Sequence, residues 1–498
     1  MSAIRLIPFF FGEGFPVAEW TSENTVSVER SQANLAEIPR PQRKKENILA
    51  MSTKTFMGGT HPPERKDRSA SNPIEFHRAV TQVVIPVNQH FGAPLQVLVK
   101  VGDMVKRGQK IADADGRMTV PLHASIAGTV KKIEPRMQPN NLEGMAIVIE
   151  PAAEDATDFM QPLDPFTCTK EEALARIRDA GIIGVGGAGF PAHVKFAPPP
   201  NKPIDYVIAN AAECEPYLTI DERVMEETPE DVIDGMAIVL RITGAKKAIV
   251  GLEDNKIHLV SVLEKAIAAK SNGADFSIQL LKTKYPQGGE KMLITAITGK
   301  EVPSGGLPMD VGCVVSNVGT LKAVSEAFRQ GKPMIDTGLT VTGGACETPK
   351  NLFVPVGTLA QDLVPAVVRI HEDKLRRIVM GGPMMGPAVP TLAVPIQKNT
   401  SGLLLMNSDE AKVYAEGPCI RCGRCMHACS CRLSPALLNA ALKADDLDKA
   451  DAIGVLDCIE CGTCSYVCPS HIQLVQRFRI GKQLVRAKKQ KEAQRAGK

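Results

Sequence analysis

The sequence predicts a multidomain chain of α/β and α+β units, on three observations. Its 498 residues exceed what one hydrophobic core holds, since domains run to roughly 100–200 residues. Glycine-punctuated β runs between Thr81 and Glu150 give way to alternating strand-like and helix-like stretches. Nine of the 13 cysteines fall in the 50 residues from Cys419 to Cys468, which marks a site. With 44% hydrophobic and 23% charged residues, the composition excludes collagen-like, coiled-coil and wholly disordered chains. No apolar stretch approaches the ~20 residues of a bilayer-spanning helix. Glu13 and Pro16 interrupt the N-terminal apolar run, so no secretory signal is expected and the chain reads as cytoplasmic.

Residues 1–50 lack a sustained period and read as a disordered extension or an upstream start-site artefact, because Met51 opens a segment that looks like the start of a protein. Over 51–155 the runs VVIPV, VLVKVGD, GTVKKIE and AIVIE predict a small β barrel or sandwich. It resembles the biotinyl and lipoyl carrier folds in LVKVGDMVKRGQKIA followed by HASIAGTV. The hairpin that carries the modified lysine there reads Arg117-Met118-Thr119-Val120 here, so a structural, unmodified relative is expected. Residues 165–325 form an α/β segment, with a helix over Lys170–Ala180, strands at Tyr206–Asn210 and Lys247–Leu252, and helices at Glu230–Thr243 and Lys256–Ala269. Residues 326–400, with LTVTGG, NLFVPVG and TLAQDLV, suggest a β-grasp module of the SLBB type. Residues 405–480 hold the cysteines, and 481–498 form a basic tail.

The cysteines form two CxxCxxCxxxC runs, Cys419, Cys422, Cys425, Cys429 and Cys458, Cys461, Cys464, Cys468. Three thiolates on a tight loop hold three corners of a cubane while the fourth reaches the partner cluster. Two 4Fe-4S clusters follow: Cys419, Cys422, Cys425 and Cys468 ligate one, and Cys458, Cys461, Cys464 and Cys429 the other. Gly423 and Gly462 let backbone amides approach the cluster sulfurs. Zinc is the competing reading, but zinc ribbons need two CxxC pairs rather than a duplicated four-cysteine run. Ser430 stands where such runs usually carry proline, and Cys431 is a ninth cysteine that reads as a spare buried thiol. Between the halves, Ser434 as N-cap and Pro435 at the first position open a packing helix with Leu437, Leu438, Ala441 and Leu442 on one face.

Gly184-Val185-Gly186-Gly187-Ala188-Gly189 fits GxGxxG, but a helix-like stretch precedes it and Phe190-Pro191 follows, against a Rossmann reading. Its company is more specific: Lys195, then NAAECEP from Asn210, YPQGGE from Tyr285, and Ser316-Asn317-Val318-Gly319-Thr320. Together these resemble the flavin-binding motifs of the NADH-oxidising flavoprotein of respiratory complex I. That resemblance implies that amides around Gly184, Gly186, Gly187 and Gly189, with Lys195, hold the FMN phosphate. It puts Asn210, Glu213, Asn317 and Thr320 along the rest of the flavin. Phe190 would lie at the nicotinamide nucleotide with Glu215 and Glu290, the candidate catalytic carboxylates. Ala212 and Gly289 depart from the pattern, which has acids there. Cys168, Cys214, Cys313 and Cys346 read as structural.

The order GGTHPPERK, barrel, GxGGAGFP, NAAECEP, YPQGGEK, VTGGACETP, VMGGPMMGP and two four-cysteine runs resembles the RnfC family of the Rnf electron transport complexes, over about Met51 to Gly481. A related component of the sodium-pumping NADH:quinone reductase shares the front half without the cysteine runs. The resemblance implies a peripheral protein on the cytoplasmic side of the inner (cell) membrane, an oxidoreductase passing electrons between NAD(H), FMN and two 4Fe-4S clusters. Its implied partners are the membrane and iron–sulfur subunits of the Rnf complex and, indirectly, ferredoxin or flavodoxin. A cobalamin reductase of the PduS type and a non-catalytic electron wire without NADH binding are the alternatives. From Gln473 to Lys498 nine Lys or Arg face one acid, Glu492, so the tail carries +8 and the rest −4. Such a tail suits an anionic membrane surface or an ordinary solvated helix end. Its charge is not interleaved with aromatics, so no nucleic acid is expected.

Overall fold

Apolar alternation folds the first segment into two antiparallel sheets. The computed structural model describes residues 52–496 except Arg117 and Pro365, so the readings of residues 1–50 and of Arg117 fall outside the described residues. Val83–Pro86, Glu143–Pro151, Gly128–Met137 and Met104–Val105 pair in that order, and Gln96–Val97, Lys110–Asp113 and Leu122–His123 form the second sheet. Every second residue turns inward, so Val83, Ile85, Ile147 and Ile149 meet Ile111 and Leu122 in one core. Of the VLVKVGD run only Val97 lies in a strand, because the chain turns at Val101-Gly102, where Gly102 N–H bonds Val130 O at 2.8 Å.

The next segment is a parallel sheet in the order Phe276–Leu281, Lys247–Glu253, Tyr206–Ala211, Cys313–Asn317. Helices shield it from water, so its central strands read as continuous apolar runs. The first helix, Lys170–Asp179, starts at a capping box in which Thr169 Oγ accepts from Glu172 N (3.2 Å) and the Glu172 carboxylate accepts from Thr169 N (2.7 Å). Pro229 opens the helix Pro229–Thr243 and left-handed Gly244 ends it. The helix expected from Lys256 begins instead at Val260, after a 3-10 turn. The reason lies in Lys256 itself, whose buried amine reaches back to Ala212 O at 2.8 Å and beside Glu253 at 3.4 Å.

The β-grasp segment reaches beyond 326–400. Its six-stranded sheet runs Ile74–Phe76, Lys350–Pro355, Asp336–Thr342, Gly402–Met406, Arg377–Met380, Ala388–Val389. One edge strand comes from the segment before the barrel, and the fully buried Gly402–Met406 fills a central place. In the C-terminal module, Leu438, Ala441, Ala450, Val455, Leu474, Phe478 and Val485 form a small core. Leu437 does not join it: it is 55% exposed, and Asn439 is buried instead because its side-chain oxygen accepts from Arg477. Ser434 begins that helix but makes no side-chain cap bond. The tail continues as the helix Leu474–Ala496. Several of its cations are paired within the chain: Lys482 with Glu460 at 2.6 Å, Lys488 with Asp448 at 2.5 Å, and Lys489 with Asp451 at 2.7 Å. No helix among the described residues is long and apolar enough to cross a membrane.

Candidate functional site

In the parallel sheet the connections leave Tyr206–Ala211 toward Lys247–Glu253 on one side, and Cys313–Asn317 is laid down on the other. Ligands bind outside the carboxyl ends of strands at such a reversal. There Asn210 and Asn317 are direct partners in the parallel register. Asn210 Nδ2 donates to Gly288 O (2.8 Å), which ties the strand end to the Tyr285–Glu290 turn. Asn317 caps the helix Val318–Arg329, its Oδ1 accepting from Gly319 N (2.7 Å), while its Nδ2 donates to Asp221 Oδ2 (2.6 Å).

The glycine loop spans the turn between the helix Lys170–Asp179 and the short helix Ala192–Lys195. Gly184 N donates to Phe190 O (3.0 Å), closing the loop on itself. Thr320 braces its start, since Thr320 Oγ accepts from Val185 N (3.0 Å) and donates to Ile183 O (3.4 Å). Two other modules grip it. Asn399 Nδ2 donates to Gly187 O (2.9 Å), and the buried amine of the adjacent Lys398 donates to Gly181 O (2.7 Å). From the barrel, Phe91 N donates to Gly189 O (3.0 Å) and the Phe91 ring stacks on Phe190 at 6.1 Å. A side chain at Gly189 would meet Gln89 O at 2.8 Å, so only glycine fits. Around Gly187, by contrast, no described atom lies within 4 Å of where a Cβ would stand. That open backbone, with the partly exposed Lys195 amine nearby in sequence, fits an approaching phosphate.

The acidic residues divide. Glu213, at φ 48, accepts from Asp221 N (2.7 Å) and Glu222 N (3.4 Å) at the start of the helix Ile220–Glu227, and Lys66 Nζ stands 3.5 Å from its carboxylate. These bonds tie the NAAECEP turn to the helix start, and Asp221 links it to Asn317. Burial, then the Glu213 charge, pushes the Asp221 carboxyl up to about 7. Glu215 accepts from Met384 N (3.0 Å) and Met385 N (3.1 Å), and burial raises its carboxyl to about 7. Glu290 opens the helix Glu290–Thr298 and pairs with Lys195 at 2.6 Å. A small cleft beside Val185, lined by Asp221, Gly319, Lys322, Lys332 and Phe353, contains none of the predicted flavin ligands. Lys66, Asp221, Lys398 and Asn399 are not marked as site residues by the sequence. Lys66 lies in the GGTHPPERK signature, but no local spacing distinguishes the other three.

The two cysteine runs repeat one backbone. Arg421 and Glu460 share φ of 56 and 58, and Gly423 and Gly462 share 76 and 79, each pair just before a short helix. Cys458, Cys461, Cys464 and Cys429 line one cavity, together with Cys431, Ser430 and Thr463. Cys419, Cys422, Cys425 and Cys468 line another. The grouping matches the crossing pattern. Among the described residues no three His, Cys, Asp or Glu side chains are set to hold a single ion. Each thiol set surrounds a cavity with largely apolar walls, which fits a cluster. The first cavity is the inner one: Tyr285 Oη donates to Cys461 O (2.8 Å), Gly59 N donates to Ala428 O (2.9 Å), and a Cβ at Gly462 would stand only 3.0 Å from Met384 O. At the second, Cys419 and Cys422 are exposed.

A parallel flavin-type α/β domain joined to a two-cluster module defines an iron–sulfur flavoprotein. Residues 54–154 match the RnfC barrel sandwich hybrid domain, 177–326 the Nuo51 FMN-binding domain, and 411–470 the 4Fe-4S dicluster domain. The chain is 44% identical to the C component of the proton-translocating ferredoxin:NAD(+) oxidoreductase complex of Clostridium ljungdahlii, over 78% of this chain and 84% of that one. It is 39% identical to the Na(+)-translocating counterpart of Acetobacterium woodii, over 88% and 98%. It is 40% identical to the C component of the ion-translocating oxidoreductase complex of Vibrio cholerae, over 83% of this chain and 53% of that longer one. The chain belongs to the RnfC family of Rnf complex proteins. It is an electron-transfer subunit of a multi-subunit membrane complex, with FMN and two 4Fe-4S clusters as its cofactors.

Proposed function

We propose that this protein exchanges electrons with NAD(H) at the glycine loop and passes them through its C-terminal module to the rest of the complex, coupling NAD and ferredoxin redox chemistry to ion movement. FMN, when bound, supplies the conversion between a two-electron hydride and single electrons. The chain's residues supply the frame. The exposed backbone at Gly186 and Gly187 with Lys195 receives a phosphate, Asn210 and Asn317 stand side by side at the strand ends, and Glu215 and Glu290 supply the carboxylates toward the nucleotide. Phe190, held by Phe91, offers a ring face for stacking. Cys458, Cys461, Cys464 and Cys429 would hold the inner cluster, and Cys419, Cys422, Cys425 and Cys468 the outer.

The observation that carries this reading is Tyr285. Its turn ties to Asn210 through Gly288 O, and its hydroxyl bonds the Cys461 carbonyl, so the flavin crevice and the inner thiols share one brace. The exposure of Cys419 and Cys422 supports exchange with a neighbouring protein of the complex at the outer site. A place on the cytoplasmic face fits soluble NAD(H) and ferredoxin. The test is anaerobic titration of the purified chain with NADH after assay of iron and flavin. About eight irons and one FMN, with flavin bleaching, support the proposal; a full complement that NADH fails to bleach overturns it.

A further inference from the structure

We infer that the Ser430 hydroxyl is a hydrogen-bond donor to the inner cluster, raising its reduction potential and setting it apart from the outer cluster. The inference rests on the two-cluster reading and concerns a position where the two halves of the repeat differ. Ser430 follows Cys429, the last cysteine of the first run, and Pro469 follows Cys468, the last of the second. Because each fourth cysteine crosses over, Ser430 lines the inner cavity and Pro469 the outer.

Ser430 is 8% exposed, and its Oγ has no hydrogen-bond partner among the described residues. Leaving a buried hydroxyl unpaired costs about 1–3 kcal/mol, so such groups are rare and call for an explanation. A serine hydroxyl rotates freely to find an acceptor, and the acceptors proper to a thiol-lined cavity are sulfurs. The same cavity has a second hydroxyl already so placed: Thr463 Oγ1 lies 3.2 Å from Cys461 Sγ. Backbone donors join it, Leu433 N at 3.3 Å from Cys429 Sγ and Glu460 N at 3.4 Å from Cys458 Sγ. The residue equivalent to Thr463 in the first run is Arg424, which is exposed, and proline at 469 has no donor at all.

Hydrogen bonds to cluster sulfurs stabilise the more negative, reduced state and raise the potential, whereas burial away from water disfavours that added charge. The inner cluster is the more buried, so burial alone would make it the harder to reduce. Ser430 and Thr463 oppose that shift at this cluster.

The experiment is a redox titration of the full-length chain followed by electron paramagnetic resonance, with iron and acid-labile sulfide measured on each sample. Ser430→Ala is expected to lower the midpoint of one cluster and leave the other unchanged at full iron content. Ser430→Thr, which keeps the hydroxyl, is expected to stay near the parent. Ser430→Pro copies the second half of the repeat and serves as the second hydroxyl-free variant should alanine lose iron. Unmoved midpoints in an iron-replete hydroxyl-free variant overturn the inference, as does a threonine variant that shifts as far as alanine. Failure of the two-cluster reading looks different: the unmodified chain would then carry far fewer than about eight irons.

Discussion

Lys195 Nζ stands 2.6 Å from Glu290 Oε1, joining the short helix after the glycine loop to the first residue of the helix behind the Tyr285 turn. The pair is partly exposed, so its own contribution to stability is small, and the amine stays available to a phosphate. Replacing Lys195 by Met should remove a charge-assisted contact of about 1.5–3 kcal/mol and weaken FMN binding about 10- to 100-fold. Flavin retention on gel filtration measures this, with iron content unchanged as the control. Full flavin occupancy in the variant would remove Lys195 from the phosphate site.

Asn399 acts on the loop from a different module. Asn399→Ala deletes one hydrogen bond to Gly187 O, worth about 1 kcal/mol, and should loosen FMN several-fold with little change in melting temperature. Equal flavin affinity in parent and variant would show that the loop holds its shape without this clamp.

Cys431 lines the inner cavity with the four assigned ligands. If it is spare, Cys431→Ala keeps the full iron complement, whereas Cys429→Ala loses about four irons. Iron loss in the first variant would make Cys431 a ligand.

Glu215 predicts a pH dependence. Burial raises its carboxyl from 4.5 to about 7, so the folded chain holds this proton more tightly than the unfolded one. Unfolding between about pH 4.5 and 7 therefore releases a proton, and stability falls as pH rises through that window, levelling above it. Glu215→Gln should flatten this slope in urea denaturation at pH 5.5, 6.5 and 7.5. Parallel slopes in parent and variant would contradict the assignment.

Much of this was legible in the sequence, for identifiable reasons. The cysteine spacing implied a crossed pairing of thiols because short loops leave few geometries, and the cavities group the same eight residues. The flavin motifs lay at strand ends, and strands such as Tyr206–Ala211 declare themselves by continuous apolar character. Less was legible where distant segments meet. Nothing near Asn399 reveals that it reaches Gly187, and Ile74–Phe76 is too short to announce itself as an edge of a sheet built mainly from residues beyond 335. The bonds that the Glu213 carboxylate accepts from the Asp221 and Glu222 amides are equally invisible locally, because they depend on the left-handed turn at Glu213. The basic tail shows the same limit: its composition signals charge, and only the fold reveals Asp448 and Asp451 opposite Lys488 and Lys489.

The bond from Gly59 N to Ala428 O has a consequence for how the protein is made. Gly59 leaves the ribosome about 370 residues before its partner; closing so long a loop adds little free energy, since each doubling costs only about 0.6 kcal/mol. The contact must nevertheless wait for the distant segment to be synthesised. The strap around Lys54 and Thr60 is pinned to Leu280 and Tyr285, which are made well before the dicluster module that holds its third anchor. A chain cut short before Ala428 leaves Gly59 without that acceptor, so the strap acts as a latch that fastens only once synthesis has passed Ala428.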